Sequence, residues 1–200
     1  MNKNLPYYDI IMRAPMVSFV VPDLPDGYRF KSYEDGDERY WCELECEVHE
    51  FTSVESAMAY FSRVFIPYKE QLSERMFFII DPLGRYVATA SAWFKDDDQR
   101  HYALLHWVSC SPKVQGKGLG NAIVAFALSH FPTLEPNEEE IFLHTQTWSY
   151  KAIALYHKFG FCITDVPLIN TKTDSQCQSV LETVLPVHIT NTLYEKNGKR

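Results

Sequence analysis

The sequence has no CxxC pair, no excess of basic residues and no apolar run of membrane-spanning length, and each absence removes a class of protein. Its five cysteines (Cys42, Cys46, Cys110, Cys162 and Cys177) are odd in number and scattered. Cys42 and Cys46 stand four apart on an expected helix, without the further ligands a metal would need. Reduced core thiols are therefore expected, and no metal. The net charge of -7 argues against nucleic acid, whose phosphates require a concentrated basic face, and against docking on an anionic membrane. An acidic surface suits a cationic acceptor, but it bears more on solubility and steering than on chemistry. Residues 1–12 hold no sustained apolar stretch of the kind that directs secretion, so the cytoplasm is the expected location. No internal repeat and no low-complexity tract is present.

What is there is core-forming material. The 200 residues are 46% hydrophobic and 14% aromatic, enough for one packed domain with a modest extension. Residues 1–26 carry Pro6, Pro15, Pro22 and Pro25 and read as an irregular N-terminal extension packed on a domain of residues 27–200, with room for a short strand at 16–21. A first strand of the domain proper is expected at 28–32. Asp37 can cap a helix whose Trp41, Leu44 and Val48 share one face. Thr52 and Glu55 form a capping-box pattern ahead of Ala57, Tyr60, Phe61, Val64 and Phe65, and Pro67 bends or ends that helix. These helices face the core and are candidate walls of a substrate pocket.

A hairpin follows, with strands at 76–80 and 86–94. Asp81-Pro82-Leu83-Gly84 supplies a type I turn between them, proline second and glycine fourth. A polar turn at 95–100 leads to a strand at 102–110. Beyond a glycine-rich turn come a helix at 121–130, with Ile123, Phe126 and Ala127 on one side, and an acidic solvated loop at 135–140. A strand at 141–147 precedes a helix that Ser149 caps and Gly160 ends, with Lys158 in its last turn. Final strands are expected at 161–166 and 180–187. The fold class is α/β: a mixed sheet with helices on its faces.

The turn Val114-Gln115-Gly116-Lys117-Gly118-Leu119-Gly120-Asn121 lies between a strand and a helix. Three alternating glycines let backbone approach an anion closely, and the N–H groups at a helix start favour negative charge. Lys117 adds a cation. A P-loop would need Ser or Thr after Lys117, and Gly118 stands there; a dinucleotide turn would need glycine where Asn121 stands. Another phosphate ligand, or an ordinary glycine-rich turn, stays open on these residues alone.

A second motif narrows the choice. Gln115-x-x-Gly118-x-Gly120, preceded by Cys110-Ser111-Pro112, resembles the Q/R-x-x-G-x-G/A loop of the GNAT (Gcn5-related N-acetyltransferase) superfamily. Ser149-Tyr150-Lys151-Ala152-Ile153-Ala154-Leu155-Tyr156-His157-Lys158-Phe159-Gly160-Phe161 is similar to the same family's N-x-x-A-x-x-L-Y-x-K-x-G-F helix. The close match covers about a quarter of the chain, and the order of elements extends it.

The resemblance implies a mostly antiparallel central sheet, splayed where acetyl-CoA binds as cosubstrate between the strands at 102–110 and 141–147. It implies that the backbone of Ser109 and Cys110 pairs with the pantetheine arm and that an N–H near Cys110 polarises the thioester carbonyl. Amides of Gln115, Gly116, Lys117, Gly118, Leu119 and Gly120 would hold the pyrophosphate. Tyr156 would protonate the departing thiolate, a task for a phenol that keeps its proton at neutral pH. His106 stands where some members carry the base that deprotonates the amine; His49 and Glu50 are weaker candidates, and proximity alone can serve. Ser149 replaces the usual asparagine, still able to make one hydrogen bond to the cofactor. Trp93, Phe94, Trp107, Trp148 and Tyr150 are expected near strand ends that border the acceptor, either as its walls or as core packing. The implied partner is a primary amine on a small molecule or peptide. A non-catalytic module that binds acyl-CoA is the alternative, and a homodimer is left open.

Overall fold

The structure, a computed structural model, describes residues 1–98 and 100–194. In chain order its first half contains β1 (Asp9–Pro15), β2 (Arg29–Ser32), α1 (Glu38–Glu47), α2 (Val54–Val64), α3 (Leu72–Arg75), β3 (Met76–Ile80) and β4 (Tyr86–Asp96). The second half contains β5 (His101–Cys110), α4 (Leu119–Leu134), β6 (Glu140–Gln146), α5 (Tyr150–Lys158), β7 (Cys162–Ile163), α6 (Cys177–Val184) and α7 (Val187–Thr190). The strands form a seven-stranded sheet in the order β2-β3-β4-β5-β6-β1-β7. Pairing is antiparallel for β1 with β6 and β7, for β2 with β3, and for β3 with β4. β5 runs parallel to β6 over Ala103↔Ile141 and Leu104↔Phe142.

The chain divides into two compact units, one of Met1–Met16, Phe94–Leu104 and residues from Asn137 onward, the other of Val17–Trp93 and Leu105–Pro136. In the second unit, side-chain alternation along β3 decides what packs where. Met76, Phe78 and Ile80 join Trp41, Phe61 and Phe65 from α1 and the α2 end in one buried cluster. Phe77, one residue out of phase, meets Phe126 of α4 edge-on at 5.1 Å. Phe126 also stacks on Phe30 of β2 at 4.1 Å, so this part of the sheet carries helices on both faces. Full burial of an all-apolar strand follows from that sandwiching. The first unit has its own cluster, built from Ile11, Tyr102, Leu104, Phe142 and Leu168.

Several expectations shift. The strand placed at 16–21 lies earlier, at Asp9–Pro15, and it is no irregular strap: Ile10, Ile11 and Met12 are wholly buried and the strand pairs on both edges. The expected strand at 180–187 is helix: Cys177, Val180 and Leu181 are buried at steps of three and one, the stripe of a helix face, and extended Leu185 precedes Pro186 where α6 stops. Of the strand at 161–166 only Cys162–Ile163 pairs. Within the polar turn at 95–100, Gln99 lies outside the described residues, as do residues 195–200 of the expected domain.

The helix starts also differ in detail. Asp37 is the residue before α1 but makes no cap bond; its carboxylate accepts instead from Lys31, from Tyr86 at 2.6 Å and from the Glu34 amide at 2.9 Å. The capping box of α2 is one residue along, Ser53 with Ser56 exchanging bonds of 3.2 and 3.3 Å. In the acidic loop, Glu135 is not solvated; it is buried and accepts from Arg75 at 2.7 Å. No described helix is long and apolar enough to cross a membrane.

Candidate active site

The glycine turn is where the sequence places it, at the start of α4. Gly116 and Gly118 take φ of +83° and +81°, a left-handed backbone that other residues adopt at a cost. Gly118 is the residue preceding the helix, and no side chain caps the amides that follow it. A Cβ built on either glycine would meet nothing within 4 Å. The glycines are thus required by conformation and not by crowding, and the space outside them is open. Lys117 folds back: its Nζ donates to the Tyr28 hydroxyl at 2.9 Å and sits 5.3 Å from that ring's centre. A cavity of about 350 Å³ adjoins the turn, lined by Lys117, Gly118, Asn121 and Ala122 and by Pro22 to Pro25 on its other side.

Upstream, β5 delivers His106, Ser109 and Cys110 to the same unit. Within the strand Trp107 takes φ of +46°, an outlier for a bulky residue and a mark of local strain. His106 packs beside the rings of Phe65 and Trp107, 6.3 and 5.6 Å between centres. Cys110 is half-buried, and desolvation pushes its thiol up to about 11, with the charge of Glu47 adding to the effect, so it is a poor nucleophile at neutral pH. Ser111 Oγ donates to Glu47 at 2.9 Å, and Lys113 pairs with the same carboxylate at 3.0 Å.

Ser109 leads to a residue that the sequence reading passed over. Its hydroxyl donates at 2.9 Å to Oε2 of Glu45, a carboxyl on α1 with no solvent exposure. Burial pushes Glu45 up to about 8; the Ser109 hydrogen bond works against the shift and the negative charge of Glu50 adds to it. The signal was present in the sequence: Glu45 falls four residues after Trp41 and one after Leu44, on the apolar face of its helix, where a charge needs a reason.

Tyr156 and Ser149 belong to the other unit. Tyr156, 7% exposed, is the last buried residue of α5. The helix closes with Phe161 N–H bonding to the Tyr156 carbonyl at 3.2 Å and Gly160 N–H to His157 at 3.0 Å, with Gly160 at φ +85°. This C-terminal lock fixes the backbone that carries the phenol. Ser149 precedes the helix without capping it and accepts from Gln146 at 3.2 Å. Of the five expected border aromatics, Trp93 and Trp107 belong to the second unit and Phe94, Trp148 and Tyr150 to the first. Trp93 and Trp107 join the core around Trp41, Phe94 stacks on His101, and Trp148 packs against Tyr7. Among the described residues no group of His, Cys, Asp or Glu could hold a metal.

Comparison with known proteins bears on the whole arrangement. The family model described as acetyltransferase (GNAT) family matches residues 26–161. Among solved structures, a GCN5-related N-acetyltransferase from Sphaerobacter thermophilus superposes with a TM-score of 0.61 at 16% identity, covering 80% of this chain and 49% of that one. A tandem GNAT protein from the clavulanic acid biosynthesis pathway gives 0.59 at 16% identity, over 80% of this chain and 51% of that one. Glucosamine-6-phosphate N-acetyltransferase from Arabidopsis thaliana gives 0.50 at 17% identity, over 74% of this chain and 98% of that one. The chain thus spans about half the length of the first two. No curated protein matches it in sequence.

Proposed function

Since the chain belongs to the acetyltransferase (GNAT) family, we propose that it transfers an acetyl group from acetyl-CoA to a primary amine of a small molecule or peptide, by direct attack in a ternary complex. The observation that carries this is the turn ahead of α4: two left-handed glycines, uncapped amides and open space outside them. Amides of Gln115, Gly116, Lys117, Gly118, Leu119 and Gly120 suit the pyrophosphate, for which no single side chain could offer as many donors. Lys117 would leave Tyr28 to reach a phosphate or keep to the rim of the cavity. The backbone of Ser109 and Cys110, beyond the last β5–β6 pair at Leu104, supports an added strand-like partner such as pantetheine. Ser149, bonded only to Gln146 among the hydrogen bonds described, retains a hydroxyl proton for the cofactor.

Tyr156 takes the role of proton donor to the sulfur in this scheme, and the lock at Gly160 holds it in position. His106, on β5 beside the rings of Phe65 and Trp107, is one candidate base for the amine, and the carboxyl bonded to Ser109 is the other. That an N-acetyltransferase for an amino sugar phosphate shares the fold supports an amine acceptor without specifying this one.

The deciding experiment is calorimetry with acetyl-CoA, dephospho-CoA and ATP, followed by a panel of primary amines with thiol detection. Micromolar binding of acetyl-CoA and amine-dependent thiol release are expected. Binding without release on any amine would favour an acyl-CoA sensor, and binding of ATP alone would overturn the assignment.

A further inference from the structure

Glu45 is the one buried carboxyl in its unit that no cation neutralises among the described contacts. Glu135, comparably buried, is held by Arg75. Glu45 Oε2 accepts from Ser109, and Oε1 has no hydrogen-bond partner. A carboxyl that is wholly desolvated and half-satisfied costs stability, and a fold retains such a group most readily when chemistry uses it. Its surroundings are otherwise poor in charge. Cys42 and Cys46 face it on α1, Tyr60 faces it from α2, and Glu50 lies just past the end of α1. Tyr60 is itself engaged, its hydroxyl accepting from Trp107 Nε1 at 3.2 Å. Among the described residues, the one hydroxyl that bonds Glu45 therefore comes from β5, at a residue 8% exposed and adjacent to Cys110 on the strand assigned to the thioester. Ser109 thus links the buried carboxyl to the end of β5.

We propose that Glu45 takes up, through the Ser109 hydroxyl, the proton that the acceptor amine loses on acylation; this rests on the acyl-transfer function proposed above. The amine nitrogen forms its bond to the thioester carbonyl carbon, and the carbon–sulfur bond breaks with its electron pair passing to sulfur. The nitrogen gives one proton to Ser109 Oγ as the hydrogen already on that oxygen passes to Glu45 Oε2. The sulfur gains one proton, from Tyr156 in this scheme. Solvent then takes the proton from Glu45 and restores that of Tyr156, so the sum is amide and thiol from amine and thioester. Ser109 touches the substrate, and Glu45 is a positioning and relay group behind it.

The carboxyl accepts only when ionised, so kcat should fall about tenfold per pH unit below an inflection near 8, the value to which burial raises Glu45. The test compares wild type, Glu45→Gln, Glu45→Asp and Ser109→Ala with the amine found by the panel. Glu45→Gln keeps the shape and an acceptor for Ser109, and should lower kcat about 100-fold while abolishing that inflection, with acetyl-CoA affinity unchanged by calorimetry. Glu45→Asp should recover part of kcat and keep an inflection, which a merely structural role would not produce. Ser109→Ala should lower kcat as Glu45→Gln does. A carbon-13 NMR titration of glutamate-labelled protein, independent of turnover, should show one carboxyl titrating near 8 that is missing from Glu45→Gln. If wild type binds and turns over acetyl-CoA but Glu45→Gln keeps the inflection, or Ser109→Ala keeps wild-type kcat, the relay is wrong and the acyl-transfer assignment stands. If wild type fails to bind acetyl-CoA, both fall.

Discussion

At the scale of single residues, conformation and proton inventory lead to two predictions. Gly118 precedes α4 at φ +81° with open space outside it. Valine there meets no wall, yet a β-branched residue in the left-handed region costs on the order of 1–3 kcal/mol and sets a side chain where the anion should lie. Gly118→Val is expected to lower acetyl-CoA affinity more than tenfold in a protein that still folds, as calorimetry beside circular dichroism would show. Wild-type affinity in the folded variant would remove the turn from cofactor binding. Tyr156→Phe keeps the ring that packs near Phe161 and deletes only the hydroxyl. It should reduce kcat about 100-fold with acetyl-CoA affinity nearly unchanged, and unaltered turnover would leave the thiolate without its assigned donor. The places of Gly118 and Tyr156 in the fold were legible because short motifs mark a glycine turn and a helix end. Glu45 was not, because what distinguishes it is burial. A glutamate on a surface helix and one in a core are the same letter, and only its place between Trp41, Leu44 and Val48 hinted at the difference.

Elements were read well where period and punctuation agreed. β3 and β4 flank the turn at Asp81, whose carbonyl accepts from Gly84 at 2.9 Å, as the proline and glycine positions require. The glycine turn and the close of α5 at Gly160 were similarly explicit. Failures came where two patterns overlapped. Residues 180–187 are rich in strand formers, yet Val180, Leu181 and Val184 also sit at helical steps, and the helical alternative won by burying Cys177, Val180 and Leu181 together. β1 was missed because three consecutive buried residues, Ile10 to Met12, show no alternation when both faces of a strand are covered. The α2 start shows how a one-residue slip changes chemistry. Thr52 and Glu55 fit the usual pattern, but Ser53 and Ser56 make the bonds. Ser53→Ala is therefore expected to cost about 1 kcal/mol, lowering the melting temperature by roughly 2–4 °C, while Thr52→Ala should change it little. The reverse order of effects would restore the cap to Thr52.

For the whole molecule, buried charge decides how stability responds to pH. Two carboxyls of the second compact unit illustrate two solutions. Glu135 stays within 2.7 Å of the Arg75 guanidinium, whose Nη1 also donates to the Ala92 carbonyl at 3.1 Å, so removing either partner strands the other. Glu45 has only the Ser109 hydroxyl and holds its proton instead, up to about 8. In the unfolded chain a glutamate gives up its proton near 4.3. Between those two values the folded state binds a proton that the unfolded state has released, so wild-type stability must fall as pH rises through this window. The loss is complete above about 8. Gln at position 45 titrates nowhere in that range. The stability of Glu45→Gln relative to wild type should therefore increase from pH 5 to pH 9, by on the order of a few kcal/mol, as urea denaturation at pH 5, 7 and 9 would reveal. A difference that stays constant with pH would mean that Glu45 ionises as readily folded as unfolded, and the fold would then offer no proton sink behind Ser109. A rising difference joined to a lower kcat would show one carboxyl costing the folded state stability for the sake of a proton path.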